Sequence, residues 1–400
     1  MKNMIDYVLE TGALAWDAKP FCAADSVVLC QLAYLDWRNI APSPDKPKDS
    51  MRLADAIVLG GIRPLCATYF LPELNERLLF AVLESGRFRE IRIHAHVDES
   101  DPETEKQFSA VSFTLPTGAG YVAFRGTDAT LNGWKEDFNM AYRCPVPAQE
   151  SAVAYLDRVA KGMGTPLLVG GHSKGGNLAV YAAMKCTPET RRKLRGVYNH
   201  DGPGFRETVL ADPGFQSIAG MLQTILPQAS VVGMLLQHDN RYRVVESTAV
   251  GLLQHNQFSW RIEDGDLRYA AQLAPSAALF GRTLDTWLAD LDDERRERFG
   301  ETLFHVLEAS GLQNLKNPER GWRKAAADAA KALQDIDPET RRFIIEVFRL
   351  FLEAARERVA EKVKESLSGR NGLMQRLGEL MPGMGKSKAD TSAQKGSNRI

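Results

Sequence analysis

Pro166-Leu167-Leu168-Val169-Gly170-Gly171-His172-Ser173-Lys174-Gly175-Gly176-Asn177-Leu178-Ala179 joins a short apolar run to a segment of small residues. The run suits a strand buried on both faces, and residues 173–183 suit a helix slim enough to lie close on a sheet. Between them Gly171-His172-Ser173-Lys174-Gly175 fits G-x-S-x-G. A nucleophile elbow needs that context: a buried strand that stops abruptly, a serine on a sharp turn, and then a helix. The flanking glycines relieve crowding there. The peptide N–H after the serine then lies at a helix N-terminus, where a developing oxyanion is stabilised. Glycine and serine are common, so the alternative is a plain strand–helix turn.

Outward from this stretch the period alternates between strand and helix. Residues 91–97, 108–115 and 120–124 read as strands, the last ending at Arg125-Gly126-Thr127. Residues 24–36, 71–84 and 149–162 read as helices, and Thr187-Pro188-Glu189 begins another with Thr187 as N-cap. Further strands are expected at 196–200, 241–245 and 258–262. Strand, helix and strand in turn predict an α/β domain over residues 1–271, its sheet mainly parallel and flanked by helices. Beyond 272 the pattern is helical only, with Phe343, Ile344, Val347, Leu350, Phe351, Ala354, Val359 and Val363 on one stripe. Residues 272–382 are therefore expected to form an all-helical region and residues 383–400 a disordered polar tail.

A serine nucleophile needs a base, and the base needs an acid to fix its tautomer. In this fold class the order along the chain is serine, acid, histidine. Downstream of Ser173 stand His200, His238, His255 and His305. His255 lies in the turn-like Gly251-Leu252-Leu253-Gln254-His255-Asn256-Gln257 and is the favoured base; His238, beside Asp239 and Asn240, is the second choice. His305 falls in the helical region. For the acid, Asp201 closes a strand before Gly202-Pro203-Gly204, at a sheet edge of the kind where ligands bind. Asp239, Glu246 and Asp264 compete with it, and Asp201 also suits a plain turn cap.

Ala123-Phe124-Arg125-Gly126-Thr127, Trp134-Lys135-Glu136-Asp137 and the Gly171–Ala179 stretch together resemble the class 3 (fungal-type) lipases. More narrowly, Lys19-Pro20-Phe21, Gln31-Leu32-Ala33-Tyr34-Leu35-Asp36, His200-Asp201-Gly202-Pro203-Gly204-Phe205, the run from Pro227 to Leu236 and Gln254-His255 are similar to the bacterial Mbeg1-like family. The resemblance covers about residues 4–270 and implies an α/β-hydrolase fold and acyl-ester hydrolysis without a cofactor. It makes Ser173 the nucleophile, His255 the base, and Thr127 with the backbone N–H of Lys174 the oxyanion hole. Two departures stand out. Where those lipases carry their acid, this chain has Ser230-Val231-Val232-Gly233, which shifts the expectation to Asp201 or to an impaired triad. Lys174 stands where they carry an apolar residue, and its ammonium is expected near the oxyanion, favouring an acidic substrate. Trp134 and Asp137 are expected to tether the loop carrying Thr127, and Arg125 to form an ion pair beneath the site.

Composition narrows the classes. Fifty basic and 51 acidic residues leave a net charge of -1, so no global field attracts nucleic acid. Apolar residues at 44% and charged residues at 25% exclude wholesale disorder. Five dispersed cysteines without a C-x-x-C pair read as reduced thiols. With no secretory signal read at the N-terminus and no long apolar run, the expected location is the cytoplasm. His94-Ala95-His96 would put two rings on one strand face, but no third metal ligand accompanies them. Weak membrane-surface contact through the C-terminal helices is a further expectation, from Arg349, Arg356, Arg358, Lys362 and Lys364, largely offset by interleaved glutamates. A thioesterase or peptidase on the same triad, or a silent binding fold, are the competing readings.

Overall fold

The structure is a computed structural model. It describes residues 1–275 except 46–48, 68–70, 128–135, 137–138, 141–142 and 237–240, together with 277, 294, 338, 341 and 342. The regions expected at 272–382 and 383–400 lie almost wholly outside the described residues.

Apolar strands that alternate their side chains need cover on both faces, and the described residues supply it. Nine strands form one sheet in the order β1 (Met51–Arg52), β2 (Arg92–Asp101), β3 (Lys106–Thr114), β4 (Gly120–Phe124), β5 (Leu167–His172), β6 (Leu194–His200), β7 (Leu222–Pro227), β8 (Tyr242–Val245) and then β11 (Tyr269–Ala270). β9 (Ile262–Glu263) and β10 (Asp266–Leu267) pair separately. The sheet is parallel from β4 to β8 and antiparallel at both edges. The α/β architecture read from the sequence is thus present.

Because the parallel strands follow one another in sequence order, right-handed crossovers place their helices on one side. There α4 (Pro147–Ala160), α5 (Lys174–Lys185) and α6 (Pro213–Ile218) pack on Val122, Phe124, Leu167, Val169 and Val197. On the other face α1 (Met4–Glu10), α2 (Ala23–Leu32) and α3 (Pro72–Glu84) cover Tyr121, Ala123, Leu168, Tyr198 and Ile225. The period-2 alternation of β4 and β5 decides which side chain joins which core. All ten residues of α2 are buried, Asp25 and Ser26 included; the Asp25 carboxylate is paired with the equally buried Arg87 at 3.0 Å. Among the described residues, no helix is long and apolar enough to cross a membrane.

Three local readings need correcting. Residues 258–262 form no single strand: a 3-10 turn covers Gln257–Ser259 and only Ile262 enters β9. β7 went unread because Leu222-Gln223-Thr224-Ile225-Leu226 is a short run abutting Pro227. His94 and His96 do not share a regular face, since the register of β2 shifts between His94 and Val97 and Ala95 takes φ +56°. His94 meets Thr114 Oγ1 at 3.0 Å, while His96 lies near Asp36, Asp98 and Arg125.

Register places the strand ends. Phe124 pairs with Gly171, His172 with His200, and His200 with Ile225, so β4 to β7 all stop at one edge. The segments leaving that edge carry Thr127, Ser173, Asp201 and Ser230. Helix α5 can start there only because its first turn lacks bulk. A Cβ on Gly171 would fall on the Gly175 carbonyl, one on Gly175 on the Phe124 carbonyl, and one on Gly176 on Asn199 Oδ1. Gly175→Ala is expected to destabilise the protein by about 1–3 kcal/mol or more through overpacking, read as a lower urea midpoint.

Candidate active site

Ser173 sits between β5 and α5 with φ +59° and ψ −134°, a backbone that costs a non-glycine residue about 1–3 kcal/mol. Its amide donates to the His200 carbonyl at 3.0 Å, and its own carbonyl accepts from Gly176 at 2.8 Å. The side chain is half-buried and stands at the sheet edge. Lys174, next along, is the first residue of α5, so its N–H belongs to the turn that has no intrahelical acceptor. The segment ending in Thr127 comes alongside through Gly126, where a Cβ would lie 2.9 Å from Ser173 Cβ.

Asp201 leaves β6 with φ +51° and is fully buried. One carboxylate oxygen accepts from His255 Nδ1 at 2.6 Å, and the other accepts from the Ser230 hydroxyl at 2.5 Å. The serine in place of the lipase acid is therefore bonded to the carboxylate one strand away. His255 ends a 3-10 turn, Gly251–His255. Gln254 anchors that turn by accepting from the Ala229 amide at 2.7 Å and donating to the Ala249 carbonyl at 3.0 Å, and Trp260 Nε1 donates to the Gln254 carbonyl at 2.8 Å. The His255 ring lies 4.5 Å from that of His172, the residue before Ser173. With Nδ1–H directed at Asp201, the lone pair of His255 is on Nε2.

Among the competing acids, Glu246 is paired with Arg261 at 2.6 Å and Arg268 at 3.0 Å, and Asp264 occupies the turn between β9 and β10. His238, Asp239, His305, Trp134 and Asp137 lie outside the described residues. Arg125 forms the expected ion pair, with Asp98 at 3.0 Å. No group of three or more potential metal-ligating side chains occurs among the described residues.

Lys174 departs from expectation. Its ammonium is buried, donating to Gln107 O at 2.9 Å, Gln107 Oε1 at 3.3 Å and Glu136 Oε2 at 3.0 Å. Glu136 in turn accepts from the amides of Gln107 and Ala148. A buried carboxylate with these donors keeps the ammonium's charge compensated in the core. The substrate preference inferred from a free cation therefore has no basis.

Four contributors were missed from sequence: Ser230, Glu136, Tyr34 and His172. Each lies inside a noted motif, but nothing in a one-dimensional pattern says that Lys174 points inward or that residue 230 faces residue 201. Below the site, Ser26 of α2 meets His200 Nε2 at 2.7 Å and Tyr121 Oη at 2.6 Å. Burial lowers His200 to about 3 and His94 to about 4, and burial with the nearby His255 holds His172 well below the ordinary histidine value of 6.5.

The family described as Mbeg1-like matches residues 82–305, more than half of the chain. A search of curated proteins returns no match. Among solved structures, one described as the crystal structure of M37 lipase aligns at 14% identity and a TM-score of 0.33. It covers 54% of this chain and 69% of its own.

Two outcomes follow for stability. Lys174→Met leaves the Glu136 carboxylate buried without its cation and is expected to cost about 3–5 kcal/mol in urea unfolding, with Glu136→Leu in the same chain recovering part of it. The unfolded chain takes up protons below pH 6.5 at His94, His172 and His200 while the native state does not. Stability is therefore full above pH 6.5 and falls as pH drops below it, by up to about 1.4 kcal/mol per pH unit for each. Urea midpoints at neutral and mildly acid pH check this.

Proposed function

This chain belongs to the Mbeg1-like family, and we propose that it is a serine hydrolase that cleaves acyl esters through a covalent acyl-enzyme. The observation that carries this reading is the buried Asp201 carboxylate bonded to His255 Nδ1 at 2.6 Å, with the ring packed beside the Ser173 elbow. In this scheme Ser173 Oγ attacks the ester carbonyl while His255 Nε2 takes the hydroxyl proton. The carbonyl becomes a tetrahedral oxyanion, received by the N–H of Lys174 and by Thr127. As the C–O bond to the alcohol breaks, His255 returns the proton to the leaving oxygen. Water then attacks the acyl-enzyme and gives a proton to His255, which passes it to Ser173 Oγ as the acyl C–Oγ bond breaks, releasing the carboxylic acid and regenerating the free serine and neutral imidazole. Asp201 stays ionised, holding the imidazole in the tautomer whose Nε2 is basic.

Ser230 supports Asp201 as the acid. Its hydroxyl occupies the second carboxylate oxygen, leaving the first directed at His255. This supports an active triad over a silent fold, because a departure from the lipase pattern at residue 230 is compatible with an intact acid one strand earlier.

Turnover of p-nitrophenyl esters of increasing acyl length tests the reading. Wild type is expected to hydrolyse at least one of them. Ser173→Ala and Asp201→Asn should each lower kcat by about 10⁴-fold or more, and Ser230→Ala by about tenfold. Unchanged turnover in Ser173→Ala would remove the proposal.

A further inference from the structure

Tyr34 follows α2 in Gln31-Leu32-Ala33-Tyr34, a motif that the reaction scheme leaves without a role. Its hydroxyl lies 2.9 Å from His172 Nδ1 and 3.5 Å from the His172 carbonyl oxygen. A Cβ on Gly126 would fall on the same hydroxyl. Four motifs of the sequence thus meet around one phenol: those carrying Tyr34, Gly126, His172 and, through His172, His255.

The other ring nitrogen of His172, Nε2, lies 2.8 Å from the carbonyl oxygen of His255. A carbonyl oxygen only accepts, so Nε2 carries the proton. His172 is neutral in this buried position, which leaves Nδ1 as a lone pair, and the Tyr34 hydroxyl donates to it. The opposite tautomer would set the Nε2 lone pair against the His255 carbonyl. The bond from His172 is distinct in what it fixes: Asp201 orients the His255 ring, whereas His172 holds the His255 backbone. Because His172 directly precedes Ser173, it ties the base-bearing turn to the nucleophile's own strand.

We propose that Tyr34 is a positioning residue, fixing His172 in its Nε2–H tautomer so that His172 pins the backbone of His255 beside the elbow. This rests on the reading of Ser173 and His255 as nucleophile and base. The bond from the phenol to His172 Nδ1 is the one through which this positioning acts.

Two measurements on the full chain test it. Nitrogen-15 NMR of histidine-labelled protein distinguishes a ring N–H from a lone-pair nitrogen. The His172 ring, identified through backbone-to-ring correlations, is expected as the pure Nε2–H tautomer in wild type and as a mixture in Tyr34→Phe. In ester kinetics, Tyr34→Phe should lower kcat about three- to tenfold with KM unchanged. His172→Gln places an amide donor where Nε2–H stood and has no tautomer to choose, so Tyr34→Phe should cause no further loss in that background. An equal loss in both backgrounds, or an unmixed tautomer in Tyr34→Phe, overturns the proposal. If His172→Gln does not fold, the Tyr34→Phe spectrum decides alone. A wild type that turns over no ester would count against Ser173 as nucleophile, while the tautomer shift would still decide the role of Tyr34.

Discussion

Close approach of a helix to three strands is the constraint on which the edge of this sheet depends. α5 begins so near β4, β5 and β6 that positions 171, 175 and 176 have no room for a Cβ. The chain must turn from strand to helix within one residue, and Ser173 absorbs that turn with a positive φ. The strain is local, and the surroundings over-determine it. The Ser173 amide is bonded to β6, its carbonyl to the first turn of the helix, and the following lysine anchors the turn from below through Glu136. One packing requirement thus sets the serine's exposure and the direction of the N–H groups beside it.

The Asp201–His255 side of the edge is built differently, from loops held by side chains. Asp201 is bonded by Ser230 on one side and His255 on the other, and His255 is held by its ring, by its carbonyl and by the anchored Gln254 before it. Trp260 packs against both His172 and His200, the residues that precede Ser173 and Asp201. Its indole also donates to the Gln254 carbonyl. The turn carrying His255 therefore rests on an aromatic wedge between the two strands whose ends carry the other members of the site.

Legibility from sequence followed the range of the interactions. Strands β4, β5 and β6 and the elbow were readable because alternation, apolar runs and glycine spacing are local signals. Helix α2 was readable only in outline, since a helix buried on all sides has no polar face to mark it. Asp201 and His255 were reachable by chain order and turn context, although 54 residues separate them. What stayed hidden depends on where a long side chain goes or on how strands are registered. Lys174 reads as a cation near the oxyanion until Glu136 and Gln107 are seen around its ammonium. Ser230 reads as a lost acid until β6 and β7 are placed side by side, with Asp201 N bonded to Ile225 O at 2.8 Å. The bulge at Ala95 likewise breaks a histidine pair that regular alternation would have aligned.

That this edge makes one serine hydroxyl nucleophilic is decided by peptide mapping after exposure of the native protein to a fluorophosphonate. A single covalent adduct is expected on the peptide containing Ser173, abolished when the protein is unfolded before exposure. A native protein that carries no adduct there, or carries one on a different serine while Ser173 stays unmodified, would contradict it.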